Sequence, residues 1–204
     1  MDADELFSFD VRGFVVVRNA VGAVAALAGG GGGPAEQQAA AAVLGSPLLR
    51  QYVMALLHPE GSPRHQGPGT GSVLLDLPVE ALPQVEGVHV LADGAHGGER
   101  RWARRVGSEA VVRYAQGLRV VVAAASCPAG AGGLFLVPAS HNSELPAAPA
   151  EVLAGGAPEL CVQPVLEAGD AVLMAPGLVA FLRPWTLPTP QRLLRCEFIP
   201  PQTR

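Results

Sequence analysis

Five histidines are the side chains of this sequence best suited to bind a metal ion. A non-haem iron centre uses two histidines and one carboxylate and leaves its other coordination positions open to substrates. Only one segment has an acid two residues after a histidine, His58-Pro59-Glu60, and it follows a predicted helix. His89 alternates with valines, which is typical of a strand position, and His96 lies in a glycine-rich Ala-His-Gly-Gly turn. The histidine spacing alone therefore predicts no complete iron site.

Arg192, near the C-terminus, is a candidate for binding an anion, and its neighbour Arg195 is held in reserve for that role. A planar guanidinium binds a carboxylate through two parallel hydrogen bonds. Side chains three positions apart on a strand lie on opposite faces, so Arg195 points outward if Arg192 points inward. A barrel-end arginine paired with a surface acid is the other interpretation of Arg192.

The sequence after residue 131 contains three blocks: GGLFLVPASHN at 132–142, EAGDAVLMAPGLVAFLRPW at 167–185 and QRLLRCEFIPP at 191–201. These blocks resemble those of the phytanoyl-CoA dioxygenase family, which read GGFxxxPGSHK, AGDxLxFxxALxHGTxPW and RRxLxYKYxP. Fainter similarity covers residues 6–21, AHGG at 95–98 and GLRVV at 117–121. The resemblance therefore spans most of the chain and is most specific in its C-terminal third.

This resemblance implies an Fe(II)- and 2-oxoglutarate-dependent oxygenase that hydroxylates a small apolar or lipid-like substrate. It also implies that Arg192 anchors 2-oxoglutarate and that His96 is a metal ligand. Ser140 and His141 would lie in a loop at the mouth of the barrel, with Trp185 beside the pocket. The resemblance assigns no further catalytic residue.

Two positions depart from the family pattern in its iron site. Ala180 stands where the family has its distal histidine, and Gly98 stands where a His-x-Asp pattern would place the carboxylate. A metal held by His96 alone would compete poorly with water and with other cellular ligands. An inactive pseudoenzyme or a metal-free jelly roll that binds a small molecule is therefore the alternative to an oxygenase. A third hypothesis is a cupin-like isomerase or structural module in which Arg192 binds an anion.

Composition predicts one domain over residues 1–204 and excludes several classes of partner. The chain has 204 residues, 49% of them hydrophobic, enough for one core and too few for two ordinary domains. A net charge of -4 argues against nucleic acid as a partner. Three widely separated cysteines without a Cys-x-x-Cys motif indicate reduced structural thiols. No signal peptide and no membrane-spanning segment is apparent in the sequence. We therefore expect an intracellular, cytoplasmic protein with a small-molecule substrate.

The pattern of secondary structure predicts a mostly β fold with flanking helices. A β-branched strand at 14–18 precedes alanine-rich helical sequence, which a flexible Ala/Gly-rich insert near 28–35 interrupts. A second helix is predicted to begin at Ser46 and Pro47 and to end near His58. From residue 72, short apolar runs with frequent turn residues predict an antiparallel sandwich or barrel, including a strand over 159–166. The family resemblance implies a double-stranded β-helix, a cupin-like jelly roll.

Overall fold

The computed structural model describes residues 1–22, 24, 41–57, 89–90, 102–106, 111–115, 117–143, 152, 157–188 and 192–198. At 57, 89–90, 102–106, 111–115 and 197 only the backbone is described. The predicted insert near 28–35 lies outside the described residues, as do His58, His96 and Gly98.

Short strands make up most of the described structure, and two helices flank them. The elements are α1 (Ala3–Arg12), β1 (Phe14–Val17), α2 (Pro47–Leu57), β2 (His89–Val90), β3 (Trp102–Val106), β4 (Val111–Ala115), β5 (Leu118–Ala123), β6 (Gly133–Leu136), β7 (Ala171–Met174), β8 (Ala180–Arg183) and β9 (Leu193–Phe198). Two short 3-10 helices cover Ser140–Asn142 and Pro158–Leu160. No helix in the described part of the chain is long and apolar enough to cross a membrane.

Among the described residues every strand pairing is antiparallel, and these strands form three sheets. The larger sheet has the order β1-β7-β5-β9, the smaller one has the order β2-β8-β6, and β3 and β4 form a separate hairpin. Chain neighbours such as β7 and β8 belong to different sheets, which is typical of a jelly roll. The predicted fold class is confirmed.

Side chains on the two faces of β5 enter two different hydrophobic cores. Val120 and Val122 pack with α1 and α2 in a helix-side core, whereas Val121 and Ala123 lie between the two main sheets. Alternation along a strand sends successive side chains to opposite faces. The cluster between the sheets, hereafter the interior core, contains Phe14, Val121, Ala123, Cys127, Leu134, Leu136, Leu166, Val172, Met174, Leu178, Ala180, Leu182 and Leu193.

Helix α1 was not foreseen from the sequence, although its local signals are strong. The Asp2 side chain accepts from the Glu5 N–H at 2.8 Å, and the Glu5 side chain accepts from the Asp2 N–H at 2.8 Å. This reciprocal capping satisfies two backbone donors that a helix N-terminus leaves unpaired. Gly13 ends the helix in the left-handed conformation at φ 81°, and Phe9 is fully buried beneath it.

The predicted start of α2 at Ser46 and Pro47 is confirmed. The Ser46 hydroxyl accepts from the Leu49 N–H at 3.2 Å and donates to the Ala20 carbonyl at 2.6 Å. One buried hydroxyl therefore caps α2 and joins it to the segment after β1. Further along, Tyr52 donates to Glu5 at 2.5 Å, and burial together with Glu5 raises the pKa of Tyr52 to about 12.

The turn before β7 is held by Asp170, whose side chain is buried. Its carboxylate accepts from the N–H groups of Asn19 and Glu167, at 2.8 and 2.9 Å, and from Arg18 at 2.6 Å. Burial alone raises the pKa of Asp170, but these bonds and the Arg18 charge outweigh it and leave the pKa lowered. The carboxylate of Asp170 therefore has a structural role in this turn.

The predicted strand over 159–166 is wrong for most of its length. Residues 158–160 form a 3-10 helix, and Val162 makes a single isolated bridge to Leu136. Pro158 precedes this segment and Pro164 lies within it, and neither proline has an N–H to donate to a strand ladder. The apolar residues between these prolines therefore do not form an extended strand.

Candidate ligand site in the barrel interior

Ala180 lies inside the barrel, at the start of β8. It is fully buried in the interior core and stands opposite Leu136 of β6. Residues 175–179 connect β7 directly to β8, so Ala180 lies at the same end of the barrel as Met174 and its register partner Phe14. This end, formed by Phe14, Leu136, Met174 and Ala180, is called the Ala180 end below.

The described residues do not fit a bound iron ion. The alanine methyl at position 180 has no lone pair to donate to a metal. In the described part of the chain, no three His, Cys, Asp or Glu side chains are grouped closely enough to hold a metal ion. Iron needs at least a second nitrogen or oxygen ligand beside a single imidazole.

His96, the predicted ligand, lies outside the described residues, and so does Gly98. The backbone of β2 lies against β8, with His89 opposite Leu182 and Val90 opposite Phe181. The chain therefore continues towards His96 from β2, the strand that pairs with β8 and lies beside Ala180. The role of His96 stays a prediction.

Arg192 lies just before β9, and its backbone carbonyl accepts from the Ala124 N–H at 2.9 Å. By the alternation of β9, Arg192 shares the face of Leu194 and Cys196, which belong to the helix-side core. Its side chain is partly buried. Its role as the 2-oxoglutarate anchor stays a prediction, and the alternation favours Arg195 for the inward position.

Arg195 is buried, with 7% of its surface exposed, and shares its strand face with Leu193 of the interior core. It stands opposite Val121, which also belongs to this core. The two arginines thus have opposite orientations, as their spacing predicts, but Arg195 is the one that faces inward.

A second buried arginine, Arg119 of β5, also lies on the interior face. It is 4% exposed, and its neighbours Val121 and Ala123 on that face both belong to the interior core. Its register partners are Met174 on β7 and Glu197 on β9. Sequence reasoning missed Arg119, although a single arginine within the apolar run LRVVVA is a signal, because arginine is rarely buried unless it is paired. The interior therefore contains two guanidinium groups.

Ser140 connects the loop after β6 to the start of β8. Its hydroxyl donates to the Val137 carbonyl at 2.7 Å and accepts from the Val179 N–H at 2.8 Å. Ala139, just before it, adopts the left-handed conformation at φ 63° where the family block has glycine. These bonds place Ser140 at the Ala180 end and give it a loop-fixing role.

His141 packs between this loop and the end of α1. Its Nε2 lies 3.1 Å from the Asp10 carbonyl, which can only accept, so we assign the proton to Nε2. A Cβ at Gly13 would lie 2.4 Å from the Nδ1 atom, so only glycine permits this packing. Burial lowers the pKa of His141, although the Asp10 contact opposes this shift. The neutral form of the imidazole is therefore positioned to hold the loop.

Trp185 lies away from Ser140 and His141, beyond the opposite end of β8. Its ring would be 3.6 Å from a Cβ at Gly133, and it packs against the interior core. The structure therefore brings Ser140 and His141 together with Ala180 but places Trp185 at the other end of the strand. Its predicted contact with a pocket stays a prediction.

Comparisons with known proteins relate the chain to others through structure alone. No family model matches the sequence, and no curated protein matches it. HygX from Streptomyces hygroscopicus, solved with nickel, 2-oxoglutarate and hygromycin B, superimposes with a TM-score of 0.59 at 14% identity, covering 98% of this chain and 88% of HygX.

Two further solved structures superimpose at similar levels. EvdO2 from Micromonospora carbonacea var. aurantiaca, complexed with 2-oxoglutarate, has a TM-score of 0.58 at 18% identity, covering 100% of this chain and 93% of EvdO2. SnoN, a non-haem α-ketoglutarate-dependent epimerase from nogalamycin biosynthesis, has a TM-score of 0.53 at 15% identity, covering 97% of this chain and 82% of SnoN. The chain therefore has the jelly-roll fold of non-haem, 2-oxoglutarate-dependent enzymes.

Proposed function

We propose that this protein binds a small organic molecule in an oxygenase-type barrel. The residues that the structure describes do not support iron-dependent hydroxylation. The observation that carries this proposal is Ala180, buried in the interior core where the family resemblance implies a histidine. The fold shared with HygX and EvdO2 supports a small-molecule ligand, because both were solved with 2-oxoglutarate bound.

The interior core suits a ligand with an apolar part. Its side chains are aliphatic over most of the surface between the sheets, including Leu134, Leu136, Val172 and Leu182. Removing apolar ligand surface from water contributes about 25 cal/mol per Å². The buried cation Arg195 favours a carboxylate at one end of the ligand. We therefore propose a carboxylate with a short aliphatic body as the ligand class.

An anaerobic titration with Fe(II) and 2-oxoglutarate tests the proposal. Iron chelated by 2-oxoglutarate gives a visible charge-transfer band, and we expect no band from the folded wild-type protein. Ala180→His restores an imidazole to the interior position, and a band that appeared only in that variant would show that position 180 lies beside a second metal ligand such as His96. Ala180→Leu is the matched control, since it adds volume to the same site without a donor atom.

Iron-dependent hydroxylation of a small apolar or lipid-like substrate is the second candidate function. The observation that favours it is the pairing of β2 with β8. The chain continues from β2 towards His96, so it leaves from a strand next to Ala180. In this alternative His96 would hold iron together with another acceptor such as His89 or His141, and Arg192 would anchor 2-oxoglutarate. The bound iron and 2-oxoglutarate would supply the oxidising chemistry for hydroxylation. A charge-transfer band in the wild-type protein that His96→Ala abolishes would establish this candidate and overturn the first.

A further inference from the structure

Helix α1 carries apolar side chains on its outer face as well as on its inner face. Phe9 is fully buried in the helix-side core, whereas Phe7 and Val11 are 65% and 47% exposed. Ala3, which is also exposed, lies four residues before Phe7, and Val11 lies four residues after it. Residues four apart form one ridge along a helix, and this ridge of Ala3, Phe7 and Val11 is called the α1 stripe below.

Contacts at both ends of α1 hold the α1 stripe in a fixed position. The reciprocal bonds between Asp2 and Glu5 cap the first turn, and Tyr52 of α2 donates to Glu5 at 2.5 Å. At the last turn, His141 contacts the Asp10 carbonyl at 3.1 Å. Because the helix is already ordered, covering the α1 stripe removes apolar surface from water and orders little additional backbone.

Two exposed side chains of opposite charge lie on the ridge next to the α1 stripe. Asp4 is in the first turn of α1 and Arg12 is in the last, and neither forms an ion pair with another described residue. They are eight residues apart, about 12 Å along the helix axis. If a second α1 packs antiparallel on the first, Arg12 of each copy lies near Asp4 of the other. A second copy of this chain therefore has both the apolar ridge and the charges that match this face.

We propose that the α1 stripe is a homodimer interface, in which two copies of this chain pack their α1 helices antiparallel about a two-fold axis. A two-fold contact uses the same surface on both copies, so the apolar ridges meet and the charge pair forms twice. A helix of ten residues is only about 15 Å long, so the buried area stays below about 1,200 Å², the range of weak interfaces. We expect a dissociation constant between about 10 µM and 1 mM. This interface is independent of the ligand in the barrel.

The wild-type protein provides the first test, which does not depend on whether any variant folds. Sedimentation equilibrium across this concentration range should show a reversible shift from monomer to dimer. In ¹H–¹⁵N NMR spectra over the same range, we expect the amide resonances of α1 to move with concentration and that of Leu187 to stay fixed. Leu187 is a suitable reference, because it is exposed and follows Thr186, which binds Ala131 beyond the other end of β8. A monomer at every concentration, or shifts that map away from α1, would overturn the proposal.

Phe7→Ser tests the apolar part of the interface. We expect it to weaken dimerisation at least about tenfold, because a buried aromatic side chain carries much of the binding energy and each dimer loses two. Leu187→Ser is the matched control, since it also removes an exposed apolar side chain but lies away from α1. Dimerisation of Leu187→Ser should equal that of the wild type. If Phe7→Ser instead lowers the unfolding temperature and leaves dimerisation unchanged, Phe7 is covered within its own chain and the proposal is wrong.

Charge reversal tests the antiparallel arrangement. Asp4→Lys places like charges together twice in its own dimer, and so does Arg12→Glu, so we expect each variant alone to dimerise about threefold to tenfold more weakly at low ionic strength. In a mixed dimer of the two variants both charge pairs are again opposite. An equimolar mixture should therefore dimerise better than either variant alone, and added salt should reduce the difference. Single variants that dimerise like the wild type, or a mixture without this preference, would overturn the proposal.

Discussion

His141 shows at the scale of a residue how burial determines a chemical role. Its imidazole contacts the Asp10 carbonyl at the end of α1, while its Nδ1 atom is buried without a hydrogen bond among the described atoms. A proton added to Nδ1 would be a buried charge without compensation. The residue is therefore suited to join α1 to the loop as a neutral group.

A pH dependence follows from this environment. The folded-state pKa of His141 is below its ordinary value of 6.5, so the unfolded chain binds a proton more readily. The stability contributed by the neutral imidazole is present above about pH 6.5 and is lost as the pH falls towards the folded-state pKa. Urea unfolding from pH 7.5 to 5.5 should show a smaller decline in His141→Gln than in the wild type. Parallel declines in the two proteins would contradict this assignment.

At the scale of elements, two short connections determine how the strands meet. One is the turn before β7, where Asp170 binds backbone N–H groups of two segments. The other is the turn before β6, where Gly132 has φ 85° and a Cβ would lie 2.0 Å from the Pro184 carbonyl oxygen. These contacts connect distant segments of the sequence, so each one restricts the relative placement of two elements.

Asp170→Asn is expected to destabilise the protein by about 2–4 kcal/mol, because it removes a buried charge that satisfies three donors. Its partner Arg18 has a side chain that is 62% exposed, so Arg18→Gln should cost less than about 1 kcal/mol. Urea denaturation at pH 7 compares the two variants. The difference between wild type and Asp170→Asn should shrink as the pH falls from about 3.8 through the lowered folded-state pKa. Equal costs for the two substitutions would show that the ion pair, and not the backbone bonds, stabilises the turn.

Gly132→Ala and Gly130→Ala form a matched pair that separates backbone strain from steric overlap. Both glycines have positive φ, 85° and 79°, but a Cβ at Gly130 would have no neighbour within 4 Å. We expect about 1–2 kcal/mol of destabilisation for Gly130→Ala and about 3 kcal/mol or more for Gly132→Ala. Thermal unfolding midpoints measure both, and similar midpoints would show that Pro184 moves aside easily.

At the scale of the whole molecule, the larger sheet separates two hydrophobic cores. Adjacent residues of β5, Val120 and Val121, enter different cores although both are almost fully buried. Since the same strands form a wall of each core, loss of either core exposes the other face of the sheet. We therefore expect the two cores to unfold together.

Val120→Ala and Val121→Ala test this inference. Each is expected to cost about 1–3 kcal/mol, since each removes two buried methyl groups and leaves a small void. Unfolding followed by circular dichroism, which reports the helices, and by tryptophan fluorescence should give coincident midpoints in both variants. A separate early transition of the helices in Val120→Ala alone would contradict a single cooperative domain.

The sequence by itself determined the fold class and the cap at Ser46, because strand alternation and capping residues act locally. It also identified position 180 as the departure from the family pattern. Only the tertiary structure decided that Arg195 rather than Arg192 faces inward and that Arg119 lies beside it. The reason is strand register, since a shift of one residue moves every side chain of a strand to the other face.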